Sequence, residues 1–83
     1  MLWSISAIAA DSHQDAWLKL IAATTGCEAK LLRVETRITG NNGMISEGWV
    51  VSSCKGEQKY RVDFWPHQYF PKYKSEHLVY ELK

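Results

Sequence analysis

The stretch MISEGWVVSSC, residues 44–54, decides the fold because a turn signal stands on each side of it. Gly40-Asn41-Asn42-Gly43 precedes it and Lys55-Gly56-Glu57-Gln58 follows it, and both suit a two-residue hairpin loop. Asparagine tolerates positive φ, so Asn41-Asn42 can form a type I′ turn, and Gly56 can take the first central position of a type II′ turn. The stretch is therefore predicted to be the central strand of a three-stranded antiparallel meander.

The two turns set registers that agree on one apolar face. With Asn41-Asn42 as the loop, the facing pairs are Leu32–Val51, Val34–Trp49, Thr36–Glu47 and Ile38–Ile45. With Gly56-Glu57 as the loop, they are Ser53–Tyr60, Val51–Val62 and Trp49–Phe64. A slip of one residue would turn either apolar set to the other face, so the agreement predicts that this face carries the core. Glu47 is the misfit, and we expect it near a strand end within reach of water.

The segments outside the meander complete the predicted domain. Leu2–Ala9 alternates and indicates a strand, with a helix as the alternative. Asp11 or Ser12 can cap a helix that ends at Gly26 and turns Trp17, Leu20, Ile21 and Thr24 toward the sheet. Pro66 ends the third meander strand, and residues 77–83 indicate a final strand, again with a helix as the alternative.

The fold class is thus α+β, with one helix packed on one face of a mostly antiparallel four- to five-stranded sheet in the order β-α-β-β-β-β. The first strand and the strand after the helix should run parallel through a right-handed crossover. With 83 residues and no interdomain linker, residues 1–83 make one small domain.

Composition excludes some functions. Ten basic and nine acidic side chains give a net charge of +1, so no global field attracts nucleic acid or an anionic membrane. No stretch is long enough to span a bilayer, and we expect no membrane association. Ala7-Ile8-Ala9 looks like a leader cleavage site, but the positive segment of a signal peptide is missing.

The two cysteines are predicted to be free. In the register above Cys54 faces Ala29 and Cys27 would face Gly56, which makes the thiols diagonal neighbours roughly 7 to 8 Å apart. That separation is too long for an unstrained disulfide. Two free thiols favour a reducing compartment, so we expect a cytoplasmic location.

The sheet face away from the helix is a candidate docking surface. It is predicted to carry Arg33, Arg37 and Arg61, with Trp65 lying over the bare backbone of Gly48. Tryptophan and arginine dominate protein-binding hot spots. The alternative is an ordinary solvated face with cross-strand charge pairs, since antiparallel sheets commonly expose one polar face.

Aromatic and basic residues alternate between residues 59 and 74, which suggests two further partners. Single-stranded nucleic acid could stack on Trp65, Tyr69 and Tyr73 while Lys72 and Lys74 contact phosphates. The aromatic count also exceeds what one short helix can cover, so a homodimer or a protein partner is expected to bury some of the surplus. The surplus set is Trp3, Trp65, Tyr69, Phe70 and Tyr73.

No constellation for catalysis is found. His13, His67 and His77 have no metal-ligand spacing with each other or with the cysteines, and His13 is expected to pack on Trp17. We expect no cofactor, no metal and no enzymatic activity. The leading hypothesis is a non-enzymatic binding, inhibitor or adaptor module that works through protein contacts and self-associates. Single-stranded nucleic-acid binding is the first alternative, and small-ligand binding at a tryptophan-lined subunit interface is the second.

Overall fold

The computed structural model describes the backbone of residues 4–82 and the side chains of residues 13–82. One helix and four strands follow one another in the chain: α1 (Ser4–Thr25), β1 (Lys30–Thr39), β2 (Ile45–Ser53), β3 (Gly56–Phe64) and β4 (His77–Leu82). The strands lie side by side in chain order and every neighbouring pair is antiparallel. One helix therefore packs against a four-stranded antiparallel sheet, which confirms the α+β class and the strand at the C-terminal end.

The predicted strand over Leu2–Ala9 is wrong for the residues that the structure describes. The chain is helical from Ser4 to Thr25, so from residue 4 onward no parallel crossover precedes β1. The reason is that neither glycine nor proline interrupts residues 4–25, and the helix runs through the predicted start at Asp11 and Ser12. The alternation of apolar and serine residues was therefore not specific for a strand. Leu2 and Trp3 lie outside the described residues.

The helix ends where the sequence predicts. Gly26 follows Thr25 with φ +83°, and its N–H donates to the carbonyl of Ala22 at 2.8 Å. A glycine in this left-handed conformation is the usual way to stop a helix. It turns the chain into the short connection that leads to β1.

The core lies between α1 and one face of the sheet. Trp17 and Ile21 of α1 are fully buried, and the indole of Trp17 meets that of Trp49 edge-on at 5.4 Å. The Trp17 indole N–H also donates to the backbone carbonyl of Asp63 at 2.7 Å, which ties the helix to β3. The buried cluster on this face consists of Trp17, Ile21, Ala29, Trp49, Val51, Tyr60 and Val62.

The β1–β2 register differs from the prediction at the turn and at two irregularities in β1. The turn is the three-residue segment Asn41–Gly43, with the Gly40 N–H donating to the Met44 carbonyl at 2.9 Å, so the predicted two-residue loop Asn41-Asn42 is wrong.

The pair Val34–Trp49 is confirmed, but the ladder shifts by one residue between Leu31 and Arg33 and again between Val34 and Thr36. Each shift inserts an extra residue in β1, as a β-bulge does. Leu31, Val34 and Arg37, which are three residues apart, therefore lie on the same face of the sheet. The other predicted pairs between β1 and β2 are wrong.

The β2–β3 register is also wrong, although the faces are right. The loop is Cys54-Lys55 and not Gly56-Glu57, so Ser53 pairs with Gly56 and Trp49 pairs with Tyr60. Gly56 has φ +89° and takes its left-handed conformation just after the turn. Pairs therefore differ from the prediction by four positions along β3. Because side chains alternate with period two, an even shift leaves every residue on its predicted face.

Cys27 and Cys54 form a disulfide, with their Cα atoms 6.1 Å apart. The prediction of free thiols is wrong. The turn has one residue more than predicted and the two β1 bulges shift the register by two residues in the other direction, so the net shift at this end of the hairpin is one residue. The position facing Cys54 therefore moves from Ala29 to the immediate neighbour of Cys27. That shift brings the pair within bridging range. The expected cytoplasmic location was based on free thiols, and the disulfide removes that argument.

In the part of the chain that the structure describes, no helix combines the length and apolar character needed to cross a bilayer.

Candidate functional site

A buried carboxylate organises the sheet face that is turned away from α1, which we call the open face. Asp63 is fully buried, and its oxygens accept hydrogen bonds from Ser46 at 2.8 Å and from the Trp65 indole at 3.2 Å. The Arg61 guanidinium donates two more, at 3.1 and 2.8 Å. Four donors thus fill the acceptor sites that an ionised carboxylate offers.

The electrostatics of this cluster fix Arg61 in place. Burial raises the pKa of Asp63, but the hydrogen bonds from Arg61, Ser46 and Trp65 outweigh it, so the pKa lies below the usual value. The same Asp63 hydrogen bond raises the pKa of Arg61. The guanidinium also lies 5.1 Å from the centre of the Tyr80 ring, which adds a cation–π contact. Arg61 therefore presents a preorganised cation beside an exposed aromatic ring.

Arg33 lies at the β1 side of the open face. It faces Val50 and forms an exposed ion pair with Glu35 at 3.4 Å, while Lys59 of β3 reaches the other Glu35 oxygen at 3.6 Å. One pair lies within β1 and the other joins β1 to β3, and exposed charge pairs of this kind are expected of a solvated face. Arg33 and Arg61 are both on the predicted surface, each already paired with a carboxylate.

Trp65 does not lie over Gly48, as the sequence predicted. Gly48 faces Arg61 in the ladder, and a Cβ placed on Gly48 would meet the hydroxyl oxygen of Thr36 at 2.6 Å. The two corrected registers explain this, because they put Thr36 of β1 against Gly48. Trp65 instead belongs to the loop that follows β3.

Residues 65–76 form a closed aromatic loop. The Trp65 N–H donates to the Glu76 carbonyl at 2.8 Å, which joins the two ends of the loop. Trp65 stacks on Tyr73 at 5.1 Å and meets Phe70 edge-on at 4.9 Å. Compact loops packed by their own side chains are a recurrent surface structure. Three of the predicted binding residues therefore support the loop itself.

The outer residues of this loop are Tyr69, Lys72 and Lys74, and all three are exposed. Tyr69 is half exposed, and Lys74 is exposed at the other end of the loop. The Lys72 ammonium lies 5.4 Å from the centre of the Tyr73 ring. Among the rings proposed for base stacking, only Tyr69 is exposed, because Trp65 and Tyr73 stack on each other. The described loop thus gives little support to the nucleic-acid alternative.

Arg37 lies on the helix side of the sheet and not on the open face. The three-residue turn Asn41–Gly43 places Arg37 opposite Glu47, with 3.5 Å between Arg37 Nε and Glu47 Oε2. Glu47 is 9% exposed, which corrects the expectation that it reaches water, and its Oε1 accepts the Trp49 indole N–H at 2.7 Å. The longer turn therefore supplies the partner that the predicted register denied to Glu47.

These residues line a cleft of about 180 Å³ between α1 and β1. The helix contributes His13, Gln14 and Trp17, and the sheet contributes Val34, Arg37, Ile45, Glu47 and Trp49. Sequence analysis missed this site. Glu47 could have indicated the site from the sequence, because a buried acidic side chain on an otherwise apolar face needs a hydrogen-bonding or charged partner nearby.

Two histidines join α1 to β4. His13 Nδ1 lies 2.9 Å from His77 Nε2, so one ring donates and the other accepts. The His13 ring lies 5.9 Å from Trp17, which confirms the predicted packing, and 4.3 Å from Phe64. Burial lowers the pKa of His77, and the neighbouring His13 lowers it further. Both effects favour the neutral form of the His77 ring.

Strand β1 forms one edge of the sheet and is exposed along nearly its whole length. Of Lys30–Thr39, Leu31 alone is partly covered. Three exposed residues are large and apolar, namely Leu32, Val34 and Ile38, with exposed fractions of 46, 45 and 62%. The opposite edge, β4, is shorter but also exposes Tyr80 and Leu82.

Comparison of the chain with protein-family models, with curated proteins and with solved structures gives no match. Within the described residues, no three His, Cys, Asp or Glu side chains are grouped so that they could hold a metal ion. A proposal about function therefore depends on the surfaces described above.

Proposed function

We propose that the protein is a non-enzymatic protein-binding module whose docking surface is the outer edge of β1. The observation that carries the proposal is that β1 exposes three large apolar side chains along an edge that pairs with no other strand within residues 4–82. Most proteins keep edge strands short or covered because free N–H and C=O groups bind other strands. A partner that adds an extended segment here gains backbone hydrogen bonds and buries Leu32, Val34 and Ile38.

The charges of β1 suggest which segments fit. Arg33 and Arg37 stand on opposite faces of the strand, and Glu35 lies between them in the sequence. An extended segment with alternating apolar residues and at least one acidic residue would complement this pattern. The bulges at Leu32 and Glu35 limit regular pairing and favour particular registers over general aggregation.

We also propose that the protein works in an oxidising compartment and not in the cytoplasm as first expected. The Cys27–Cys54 disulfide supports this, because such bonds persist in oxidising surroundings and are rare where thiols are kept reduced.

The docking surface can be tested with a library of extended peptides displayed against the folded, oxidised protein. The best binder is titrated against wild type and against Ile38→Lys, which puts a charge on the β1 edge. Leu82→Lys is the matched control, since Leu82 is similarly exposed on the other edge strand. We expect Ile38→Lys to weaken binding by about tenfold or more and Leu82→Lys to leave it unchanged. Equal effects of the two variants would contradict the proposal. So would an NMR titration with the peptide in which the backbone amide resonances that shift belong to residues outside β1.

The partner can be another protein or a second copy of this chain, as the homodimer hypothesis requires. Sedimentation of wild type over a range of concentrations separates the two. A dimer that Ile38→Lys dissociates would make the second copy the partner. A monomer at every concentration would reject the homodimer and leave the peptide result to identify another protein.

A further inference from the structure

The cleft between α1 and β1 is large enough for a small ligand. Its volume is about 180 Å³. A dry cavity of about 150 Å³ holds benzene, whereas sites for drug-sized molecules usually exceed about 300 Å³. The cleft therefore suits a ligand whose apolar part is no larger than a single ring or a branched alkyl group.

The walls divide the cleft into an apolar part and a charged part. Val34, Ile45 and the rings of Trp17 and Trp49 make the apolar part. The charged part consists of Glu47 and Arg37, whose nearest atoms are 3.5 Å apart. A ligand for this cleft should thus combine an apolar body with polar groups at one end.

Glu47 has acceptor capacity left for a ligand. The side chain is nine-tenths buried, and within the described residues it receives the Trp49 indole N–H and the longer contact from Arg37. An ionised carboxylate offers about four acceptor sites, so two are open to further donors. Arg37 is mostly exposed and contacts Glu47 through Nε, which leaves its terminal nitrogens available.

We propose that this cleft binds a free amino acid with an apolar side chain, placing the ammonium group at Glu47 and the carboxylate at Arg37. A ligand with an amine alone would meet the Arg37 cation, and one with a carboxylate alone would meet the Glu47 anion. A zwitterion complements both charges at once, which is how paired charges produce specificity. The proposal concerns the cleft and does not depend on docking at the β1 edge.

Leucine, leucinamide and N-acetylleucine form the matched set of probes. The indole N–H resonance of Trp49 is the readout, because this group donates to Glu47 Oε1 at 2.7 Å. Leucine is expected to shift this resonance saturably. Each derivative lacks one of the two charges and should bind roughly tenfold more weakly or worse, as expected for the loss of a charged hydrogen bond.

Variants locate the effect. Glu47→Gln keeps an oxygen for the Trp49 indole but removes the charge, and Val34→Trp fills the cleft from its half-exposed rim. Both should bind leucine at least about tenfold more weakly while retaining the thermal unfolding transition of a folded protein. Glu35→Gln is the control, because Glu35 is a partly exposed carboxylate on the open face. No shift with leucine at about 10 mM, where a millimolar site would be mostly filled, would overturn the proposal. Equal binding of leucine and its two derivatives would also overturn it.

Discussion

The guanidinium of Arg61 donates two hydrogen bonds to the carboxylate of Asp63, which is fully buried although it lies on the open face of the sheet. Ser46 and Trp65 complete the set of donors, so one carboxylate joins β2, β3 and the start of the aromatic loop. The hydrogen bonds offset the cost of burying the Asp63 charge, and the carboxylate holds the three segments together.

Replacement of Asp63 by alanine should lower the free energy of unfolding by about 2 to 4 kcal/mol, because the partly buried donors of Ser46 and Trp65 and the Arg61 guanidinium lose their acceptor. Glu35→Ala removes a carboxylate that also contacts two cations on this face but is partly exposed, and should cost less than about 1 kcal/mol. Urea unfolding at neutral pH measures both. Similar losses for the two variants would show that burial of Asp63 does not matter.

Stability should fall as the pH drops from about 7 to about 5, because of His77. Burial and His13 lower the pKa of His77 in the folded protein, so the unfolded chain binds more protons in this range. The contribution is therefore full above the unfolded pKa of about 6.5 and is lost below it. Melting temperature measured against pH should show the slope in wild type and a shallower slope in His77→Gln. His67→Gln, in the exposed part of the aromatic loop, is the matched control for the loss of one imidazole. An unchanged slope in His77→Gln would assign the pH dependence to other groups.

Removal of the disulfide by Cys27→Ala with Cys54→Ala should lower the free energy of unfolding by about 3 to 4 kcal/mol, given the closed loop between these residues. The bridge restricts the unfolded chain at the open end of the β1–β2 hairpin. Urea unfolding of the double variant, compared with oxidised and reduced wild type, measures the effect. Reduced wild type should match the double variant. A double variant as stable as oxidised wild type would contradict the prediction.

Gly48→Ala should destabilise the sheet by about 1 to 2 kcal/mol, because the added Cβ would meet the Thr36 hydroxyl oxygen at 2.6 Å. Threonine is stiff at χ1, so its side chain cannot easily move away. The next nearest Thr36 side-chain atom is 3.8 Å away, so Thr36→Ala should restore most of the loss in the double variant. Thermal unfolding of the two single variants and the double variant tests this coupling. Additive losses would mean that the two residues are not in contact.

The local pattern was sufficient to predict which residues of β2 and β3 face the core. Trp49, Val51, Tyr60 and Val62 are buried as expected, even though their pairing was wrong by four positions. The reason is that alternation along a strand depends on neighbouring residues alone, and an even slip preserves it. The end of α1 at Gly26 was predictable for a similar reason, because helix termination depends on local backbone preference.

The bulges in β1, the disulfide and the cleft were decided by the tertiary structure. The sequence of Lys30–Thr39 does not indicate that two of its residues are unpaired in the ladder with β2, because a bulge arises where the twist of one strand must fit that of the next. The three-residue turn placed Arg37 beside Glu47 and Thr36 over Gly48, and the two register shifts then brought Cys27 within reach of Cys54. Sequence by itself therefore determined the fold class and the buried face of the central strands, through short-range alternation, whereas the composition of both predicted turns gave the wrong loop. The candidate site required the structure, because contacts across the sheet depend on register, and register depends on how whole strands pack.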